Sequence, residues 1–356
     1  MATNSSIKDL FTRRFHKDIS LKEKTKLNDY SPYVVGMALN ISTICQRKCE
    51  RCFGHLTNYK GKEIMDLETA KKATKLLLTM IKSSDPCHII IYGGEPLLNW
   101  NLLQDYIPWF KSVVNDRNSS LSTCTNGIAL TQEIIDYHLK YQTNLNISID
   151  GPYSFHSKKV TIKEYDHVIR MIQYGVNKNS NHISIHCVIK KENIPHVPEI
   201  LAYIISIGVI NINLGRDLRE FWSDQDRVNL AGQIRKIALN YEGIIRPICE
   251  GSCDCTSCRS SNLMVYPNGD IYDTCYNCAC SLVSNKEFAR FDIKEFFLGN
   301  MFTGINLKPD LIIAKKELKN KLKCYLLHEN IDEAVNLIYG QDKRRLYCPI
   351  QDFKKD

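Results

Sequence analysis

The chain has 356 residues, of which 44% are hydrophobic and 24% are charged, and its formal net charge is +8. This composition is typical of a globular protein, and no apolar run reaches the length needed to cross a bilayer. The first residues, MATNSSIKDLFTRR, lack the apolar segment of a secretory signal. We therefore expect a cytoplasmic protein without a membrane partner, long enough for one large and one small domain.

Helical and strand patterns alternate along the first two thirds of the chain. Short β-branched runs predict strands at 34–42, 88–92, 120–125, 144–149, 183–189 and 209–214. Periodic apolar patterns predict helices at 67–81, 102–114, 132–141, 162–174, 197–207 and 225–241. This alternation predicts an α/β fold, a partial (β/α)6 TIM-like barrel with a parallel sheet.

The pattern changes near residue 245, where ICEGSCDCTSC has no helical period. We expect a basic N-terminal arm at 1–33, a barrel at 34–245 and a small cysteine-rich domain at 246–356. A helical pattern at 314–339 and a tail with Cys348 complete that domain.

Four polar motifs follow the first four predicted strands. CQRKCERC follows the first, GGEP the second, TNG the third and DGP the fourth. Because active sites of parallel α/β barrels lie at the carboxyl ends of the strands, we expect these loops to face one mouth.

The first of these motifs is a C-x3-C-x2-C array formed by Cys45, Cys49 and Cys52. The chain has fifteen cysteines and no secretory signal, which favours metal ligation over a disulfide framework. Three thiolates leave one position of a metal site open, and a substrate or cofactor can bind there.

The second and fourth motifs carry candidate ligand-binding groups. Gly93 and Gly94 allow close approach to the backbone, Pro96 fixes a turn, and Glu95 is expected to project into the mouth and bind an ammonium group. Ser148 and Asp150 share one face of the fourth strand and can bind the hydroxyls of a ribose. Each motif alone is also compatible with an ordinary turn.

Together these residues resemble the radical S-adenosylmethionine (SAM) superfamily over roughly residues 34–214. The resemblance implies a [4Fe-4S] cluster on the three cysteines, with SAM chelated to its open iron and contacted by 93–96, Ser148 and Asp150. It implies a 5′-deoxyadenosyl radical that abstracts a hydrogen atom from the substrate. The order TNG, SIDGP and His156 is similar to the peptide- and protein-modifying branch.

The segment after the barrel resembles the SPASM or twitch auxiliary-cluster domain of that branch, because Cys258 is followed by an apolar strand, a PNGD turn and Cys275. The resemblance implies one or two auxiliary [4Fe-4S] clusters. Their candidate ligands are Cys249, Cys253, Cys255, Cys258, Cys275, Cys278, Cys280 and Cys348. Tight cysteine pairs also suit zinc, so a zinc knuckle is the alternative.

The leading hypothesis is a radical SAM enzyme that modifies a ribosomally synthesised peptide through a thioether or carbon–carbon crosslink or by epimerisation. An alternative is a sulfatase-type maturase that forms formylglycine, with Asp217 as the candidate general base. A third is a zinc-stabilised nucleic-acid binder, but the chain lacks a basic stripe interleaved with aromatic residues. The expected partners are a peptide or protein substrate, an external electron donor such as flavodoxin or ferredoxin, and a separate leader-peptide recognition protein.

Overall fold

The architecture is that of a computed structural model of the chain. The structure describes residues 34–49, 52, 61, 63–81, 86–114, 118–156, 160–217, 220, 222–238, 245–247, 261–273 and 297–305. The basic arm at 1–33, the helical pattern at 314–339 and all eight candidate auxiliary ligands lie outside these residues.

Seven strands of the described chain form a parallel sheet, and four further strands extend it. The first seven are β1 (Val34–Ser42), β2 (Cys87–Gly93), β3 (Ser119–Thr125), β4 (Asn144–Ser148), β5 (Ile183–Ile189), β6 (Ile212–Arg216) and β7 (Ile245–Pro247). The others are β8 (Ser261–Val265), β9 (Asp270–Asp273), β10 (Phe297–Asn300) and β11 (Gly304–Ile305).

Six α-helices of the described chain connect or follow these strands. They are α1 (Leu67–Met80), α2 (Trp100–Val113), α3 (Gln132–Lys140), α4 (Ile162–Asn179), α5 (Val197–Ser206) and α6 (Asp224–Ala238). Side-chain oxygens cap the first turns of several of them, as sequence patterning indicates. The Asp66 carboxylate accepts from Thr69 N at 2.7 Å, and Thr161 with Glu164 forms a reciprocal capping box.

The strand order is β11-β10-β9-β8-β1-β2-β3-β4-β5-β6-β7. Neighbouring strands from β1 to β7 pair in parallel, as expected for a partial barrel wrapped by helices. Strand β8 also pairs in parallel with β1, and β8 to β11 continue as antiparallel neighbours. The six predicted strands and six predicted helices are confirmed, with α4 extending five residues beyond the expected residue 174.

The PNGD turn predicted after Cys258 is also confirmed, because it joins β8 to β9. Residues of this hairpin, including Leu263, Val265 and Ile271, belong to the same hydrophobic core as the barrel helices. The described part of 246–356 therefore shares the barrel's sheet and core, and the boundary near residue 245 stays a prediction.

Alternate residues of the central strands face opposite sides of the sheet. On β5, Ile183, Ile185, Cys187 and Ile189 are buried in the core, whereas the residues between them are partly accessible. Cys187 is thus a buried apolar-like residue, as expected for a lone cysteine on a strand. Among the described helices, none is both long and apolar enough to span a membrane.

Candidate active site at the carboxyl edge of the barrel

The cysteine loop begins directly after β1. Thr43 N donates to Glu63 O at 2.8 Å, and Cys52 N donates to Cys49 O at 3.2 Å, which holds the last two cysteines close together. Cys45, Cys49 and Cys52 are all partly accessible, in contrast to the buried Cys87 and Cys187.

Two hydrogen-bond donors point at the sulfur of Cys45. Arg47 N lies 3.3 Å from Cys45 Sγ, and Asn126 Nδ2, from the TNG loop, lies 3.5 Å from it. Donors of this kind stabilise a sulfur that carries negative charge, as a metal-bound thiolate does. The donor set therefore fits the cluster that the sequence implies.

The three thiols of the loop also interact electrostatically. Burial raises the pKa of the Cys45 thiol, and the charges of Glu95, Cys49 and Cys52 act in the same direction. Across the described residues, no group of three or more His, Cys, Asp or Glu side chains is arranged to hold a single metal ion. The thiolates that bind a four-iron cluster lie farther apart than those that bind one ion, so a cluster does not require such a group. The role of the three cysteines as cluster ligands stays a prediction.

The GGEP loop packs directly against the cysteine loop. Gly94 N donates to Ser42 O at 2.5 Å, and Glu95 N donates to Ile44 O at 2.8 Å. A Cβ on Gly93 would lie 2.2 Å from Ser42 O, and one on Gly94 would lie 2.4 Å from Ile44 O. These glycines therefore allow the neighbouring cysteine loop to approach their backbone closely. Their contact with a cofactor stays a prediction.

Glu95 does not project openly into the mouth, contrary to the expectation from sequence. Its side chain is fully buried, and its carboxylate accepts from Leu97 N at 3.0 Å, Thr125 Oγ1 at 2.7 Å and Asn126 N at 2.8 Å. Burial raises its pKa, whereas these hydrogen bonds and the charge of Arg47 lower it. Glu95 thus joins the GGEP loop, with Pro96 at the start of a 3-10 turn, to the TNG loop.

Ser148 and Asp150 lie at the end of β4, where the sequence predicts ribose contacts. Ser148 is partly buried on the strand, and Asp150 Oδ1 accepts from Val188 N of β5 at 3.0 Å. Asp150 Oδ2 lies 3.6 Å from His156 Nδ1. One oxygen of Asp150 is thus engaged in fixing the loop, and the ribose-binding role stays a prediction.

The structure also brings together Arg47 and His156, which the sequence did not predict. Arg47 Nη1 lies 3.3 Å from His156 Nε2, and both side chains are buried. Because a guanidinium can only donate, His156 accepts from it through Nε2, and Asp150 N lies 3.3 Å from His156 Nδ1 on the other side of the ring. In the motif CQRKC nothing distinguishes Arg47 from the exposed Lys48, so no sequence signal marks this contact.

A hydrogen-bonded group of polar residues lies on the face of the sheet opposite the buried apolar side chains. Asn146 Nδ2 donates to Cys124 Sγ at 3.7 Å, and Asn146 Oδ1 accepts from Ser184 Oγ at 3.2 Å and Asn213 Nδ2 at 3.4 Å. These four partly accessible residues, which we term the interior layer, come from four neighbouring strands. The interior layer can hydrogen-bond a neutral polar group but carries no cation to bind a phosphate.

Asp217, the candidate general base, follows β6 at the same edge of the sheet. It is 5% exposed, its N–H donates to Ile189 O at 2.9 Å, and its carbonyl accepts from Trp222 Nε1 at 2.9 Å. Asp217 thus lies at the edge of the sheet where the sequence places it, just beyond the sixth strand. Its catalytic role stays a prediction.

The fold and site together define a class: a partial α/β barrel in which a three-cysteine loop, GGEP, TNG and DGP are joined by contacts at the carboxyl edge of the sheet. Residues 39–204 match the model of the Radical SAM superfamily, so the chain contains a radical SAM domain. Members of that superfamily are enzymes, and the domain implies a [4Fe-4S] cluster and SAM binding.

Curated relatives with different activities match parts of the chain. The radical SAM cyclopropyl synthase TigE of Paramaledivibacter caminithermalis is 26% identical over 277 residues, covering 67% of this chain and 56% of TigE. A GTP 3′,8-cyclase of Haemophilus influenzae is 28% identical over 155 residues, covering 41% of this chain and 43% of the cyclase. The chain thus spans about half the length of these relatives.

Solved structures with bound peptides share the fold. The structure of anSMEcpe with AdoMet and the Kp18Cys peptide has a TM-score of 0.60 at 16% identity, covering 83% of this chain and 88% of anSMEcpe. Streptococcus suis SuiB bound to its precursor peptide SuiA has a TM-score of 0.54 at 14% identity, covering 91% of this chain and 77% of SuiB. At these identities the likeness is one of fold.

Proposed function

We propose that the chain is a radical SAM enzyme that abstracts a hydrogen atom from a ribosomally synthesised peptide and so forms a thioether or carbon–carbon crosslink or an epimer. The observation that carries this proposal is the meeting of four loops at one edge of the barrel. Asn126 contacts both the Cys45 sulfur and the Glu95 carboxylate.

In this proposal Cys45, Cys49 and Cys52 hold a [4Fe-4S] cluster, while residues 93–96, Ser148 and Asp150 bind SAM. When bound, the cluster and SAM supply one-electron chemistry that generates a 5′-deoxyadenosyl radical. Arg47 N and Asn126 Nδ2 hold the Cys45 sulfur, and the Glu95 carboxylate fixes the TNG loop beside it.

The interior layer favours a peptide over a nucleoside triphosphate as substrate. A triphosphate requires cationic or metal partners, whereas amide and hydroxyl groups of a peptide match Asn146, Ser184 and Asn213. The peptide-bound structures of anSMEcpe and SuiB, which share the fold, support the same choice.

The test begins with anaerobic reconstitution using iron and sulfide, followed by SAM and dithionite. We expect 5′-deoxyadenosine from the wild-type protein and none above background from the Cys45→Ala/Cys49→Ala/Cys52→Ala variant, measured by liquid chromatography with mass spectrometry. Cys187→Ala is the matched control, because Cys187 lies in the core and away from the loop. Undiminished 5′-deoxyadenosine from the triple variant would overturn the proposal.

The bond formed is tested with precursor peptides encoded next to this chain. A crosslink lowers the peptide mass by the mass of two hydrogen atoms, whereas epimerisation in D2O adds one deuterium. If GTP and not a peptide increases 5′-deoxyadenosine formation, the peptide assignment is wrong and the radical SAM assignment stands.

A second candidate function is formylglycine formation, which the position of Asp217 at the carboxyl edge favours. That reaction needs a base to remove the substrate proton. An aldehyde on a serine- or cysteine-containing sulfatase-motif peptide, lost in Asp217→Asn, would identify this activity.

Reduction of the cluster requires an external donor, for which we propose a flavodoxin or ferredoxin. One or two auxiliary clusters on the cysteines of 246–356 belong to the same proposal. Metal analysis tests it: iron and sulfide in excess of one four-iron cluster support auxiliary clusters, and zinc without iron favours the nucleic-acid-binding alternative.

A further inference from the structure

Arg47 is buried within a loop whose neighbouring cation is exposed. Its relative exposure is 7%, although it lies between Cys45 and Cys49 and precedes the exposed Lys48. Burying a guanidinium is costly unless its charge and its N–H groups find partners. Burial of Arg47 therefore costs free energy that an exposed arginine at this position would not cost.

The hydrogen bonds of Arg47 within the described chain are incomplete. Nη1 donates to His156 Nε2 at 3.3 Å, whereas Nε and Nη2 are buried and lack a hydrogen-bond partner among the described residues. No described carboxylate forms an ion pair with the guanidinium. Two buried donor nitrogens of Arg47 thus lack an acceptor among the described residues.

The negatively charged groups that act on the guanidinium include two cysteines of its own loop and two carboxylates of neighbouring segments. Among the described groups, the charge of Cys49 acts most strongly on it, followed by Glu164, Cys45 and Glu95. The ring of His156 contacts the guanidinium through Nε2, and its Nδ1 lies 3.6 Å from Asp150 Oδ2. Because Cys45 and Cys49 flank Arg47 in the chain, a cluster on these cysteines adds negative charge to the same loop.

A buried cation at this place acts on the reduction of such a cluster. A [4Fe-4S] core with three thiolates is negatively charged, and its charge becomes more negative by one when it is reduced. Reduction transfers one electron from a low-potential donor, without forming or breaking a bond or transferring a proton. Net charge and hydrogen bonds to sulfur set the potentials of such clusters, so a fixed positive charge stabilises the reduced form.

We propose that the Arg47 guanidinium, held by His156, is a positioning residue that raises the reduction potential of the cluster on Cys45, Cys49 and Cys52. This inference rests on the cluster assignment in the proposed function. In this proposal Arg47 is buried because its positive charge stabilises the reduced cluster.

The test compares Arg47→Gln with Lys48→Gln, because each removes one positive charge from the same loop and only the first charge is buried. Each reconstituted protein is titrated without SAM or peptide, and the reduced cluster is quantified by electron paramagnetic resonance. At the wild-type midpoint we expect the ratio of reduced to oxidised cluster to fall about tenfold in Arg47→Gln, which is about 59 mV for a one-electron couple. Lys48→Gln should stay within about twofold, because solvent screens an exposed charge.

Arg47→Lys preserves the positive charge, so its ratio of reduced to oxidised cluster should be close to that of the wild type. A ratio in Arg47→Gln equal to that in Lys48→Gln overturns the inference. If Arg47→Gln fails to retain iron, His156→Leu takes its place in the test. That variant removes the side chain that holds the guanidinium and leaves the charge of Arg47 in place. A lowered ratio in His156→Leu then supports the inference, and the wild-type ratio contradicts it.

Failure of the proposed function gives a different result. A wild-type protein that assembles no [4Fe-4S] cluster contradicts the cluster assignment itself. A normal wild-type cluster with unchanged ratios in Arg47→Gln contradicts only the role of Arg47.

Discussion

Gly94 has no space for a side chain, because the backbone of the cysteine loop lies against it. A Cβ would lie 2.4 Å from Ile44 O and 2.7 Å from Thr43 O. We expect Gly94→Ala to lower the free energy of unfolding by about 1–3 kcal/mol and to reduce iron retention, since the loop must move away. Chemical denaturation and iron analysis measure the two effects.

Gly232→Ala is the control for this substitution. Gly232 lies in α6, and a Cβ there would meet no atom within 4 Å. Alanine should stabilise the helix by up to about 1 kcal/mol. Equal destabilisation by the two substitutions would contradict the role of loop packing at Gly94.

His138 makes stability depend on pH. Its ring is fully buried, Nδ1 lies 2.8 Å from Thr143 Oγ1, Nε2 lacks a partner in the described chain, and burial lowers its pKa from 6.5 to about 3. Because the folded pKa is depressed, the neutral ring contributes stability above pH 6.5 that is lost as the pH falls towards 3. At pH 5, which is 1.5 units below the unfolded value, the loss is about 2 kcal/mol.

Denaturation at pH 7 and pH 5 measures this dependence. His138→Leu should weaken the pH dependence of stability. Part of the dependence that remains should come from His88, because burial lowers the pKa of its ring to about 4. An unchanged dependence in His138→Leu would show that this ring does not titrate on unfolding.

At the scale of single elements, α4 depends on its N-terminal capping box. Thr161 Oγ1 accepts from Glu164 N at 3.3 Å, and Glu164 Oε2 accepts from Thr161 N at 2.8 Å. Thr161→Ala should cost about 1 kcal/mol in the free energy of unfolding. Thr79→Ala is the control, since the exposed Thr79 hydroxyl bonds only to Leu76 O within α1 and alanine favours helix.

At the scale of the whole molecule, β8 is part of the barrel core although it follows the cysteine-rich segment. Leu263 on β8 is 1% exposed and packs in the core that the barrel helices share. Leu263→Ala should therefore destabilise the barrel itself by about 2–5 kcal/mol. Tryptophan fluorescence reports on the barrel, because the three tryptophans, Trp100, Trp109 and Trp222, lie in or beside its helices.

Val228→Ala provides the comparison, because Val228 is exposed on α6 and its truncation should change stability by less than about 0.5 kcal/mol. If Leu263→Ala leaves the tryptophan-monitored transition unchanged, β8 unfolds independently of the barrel. The segment 246–356 would then form a separate unit, as the sequence predicts.

The sequence by itself determined the order of strands and helices, because hydrophobic period and helix caps are local properties of the chain. It also placed four motifs at one edge, since parallel strands all end on the same side. It could not determine the direction of Glu95, the pairing of Arg47 with His156 or the joining of β8 to β1. These contacts link residues 30 or more positions apart. Only the tertiary structure decides which side chains such distant segments bury together and which buried donors they leave without a partner.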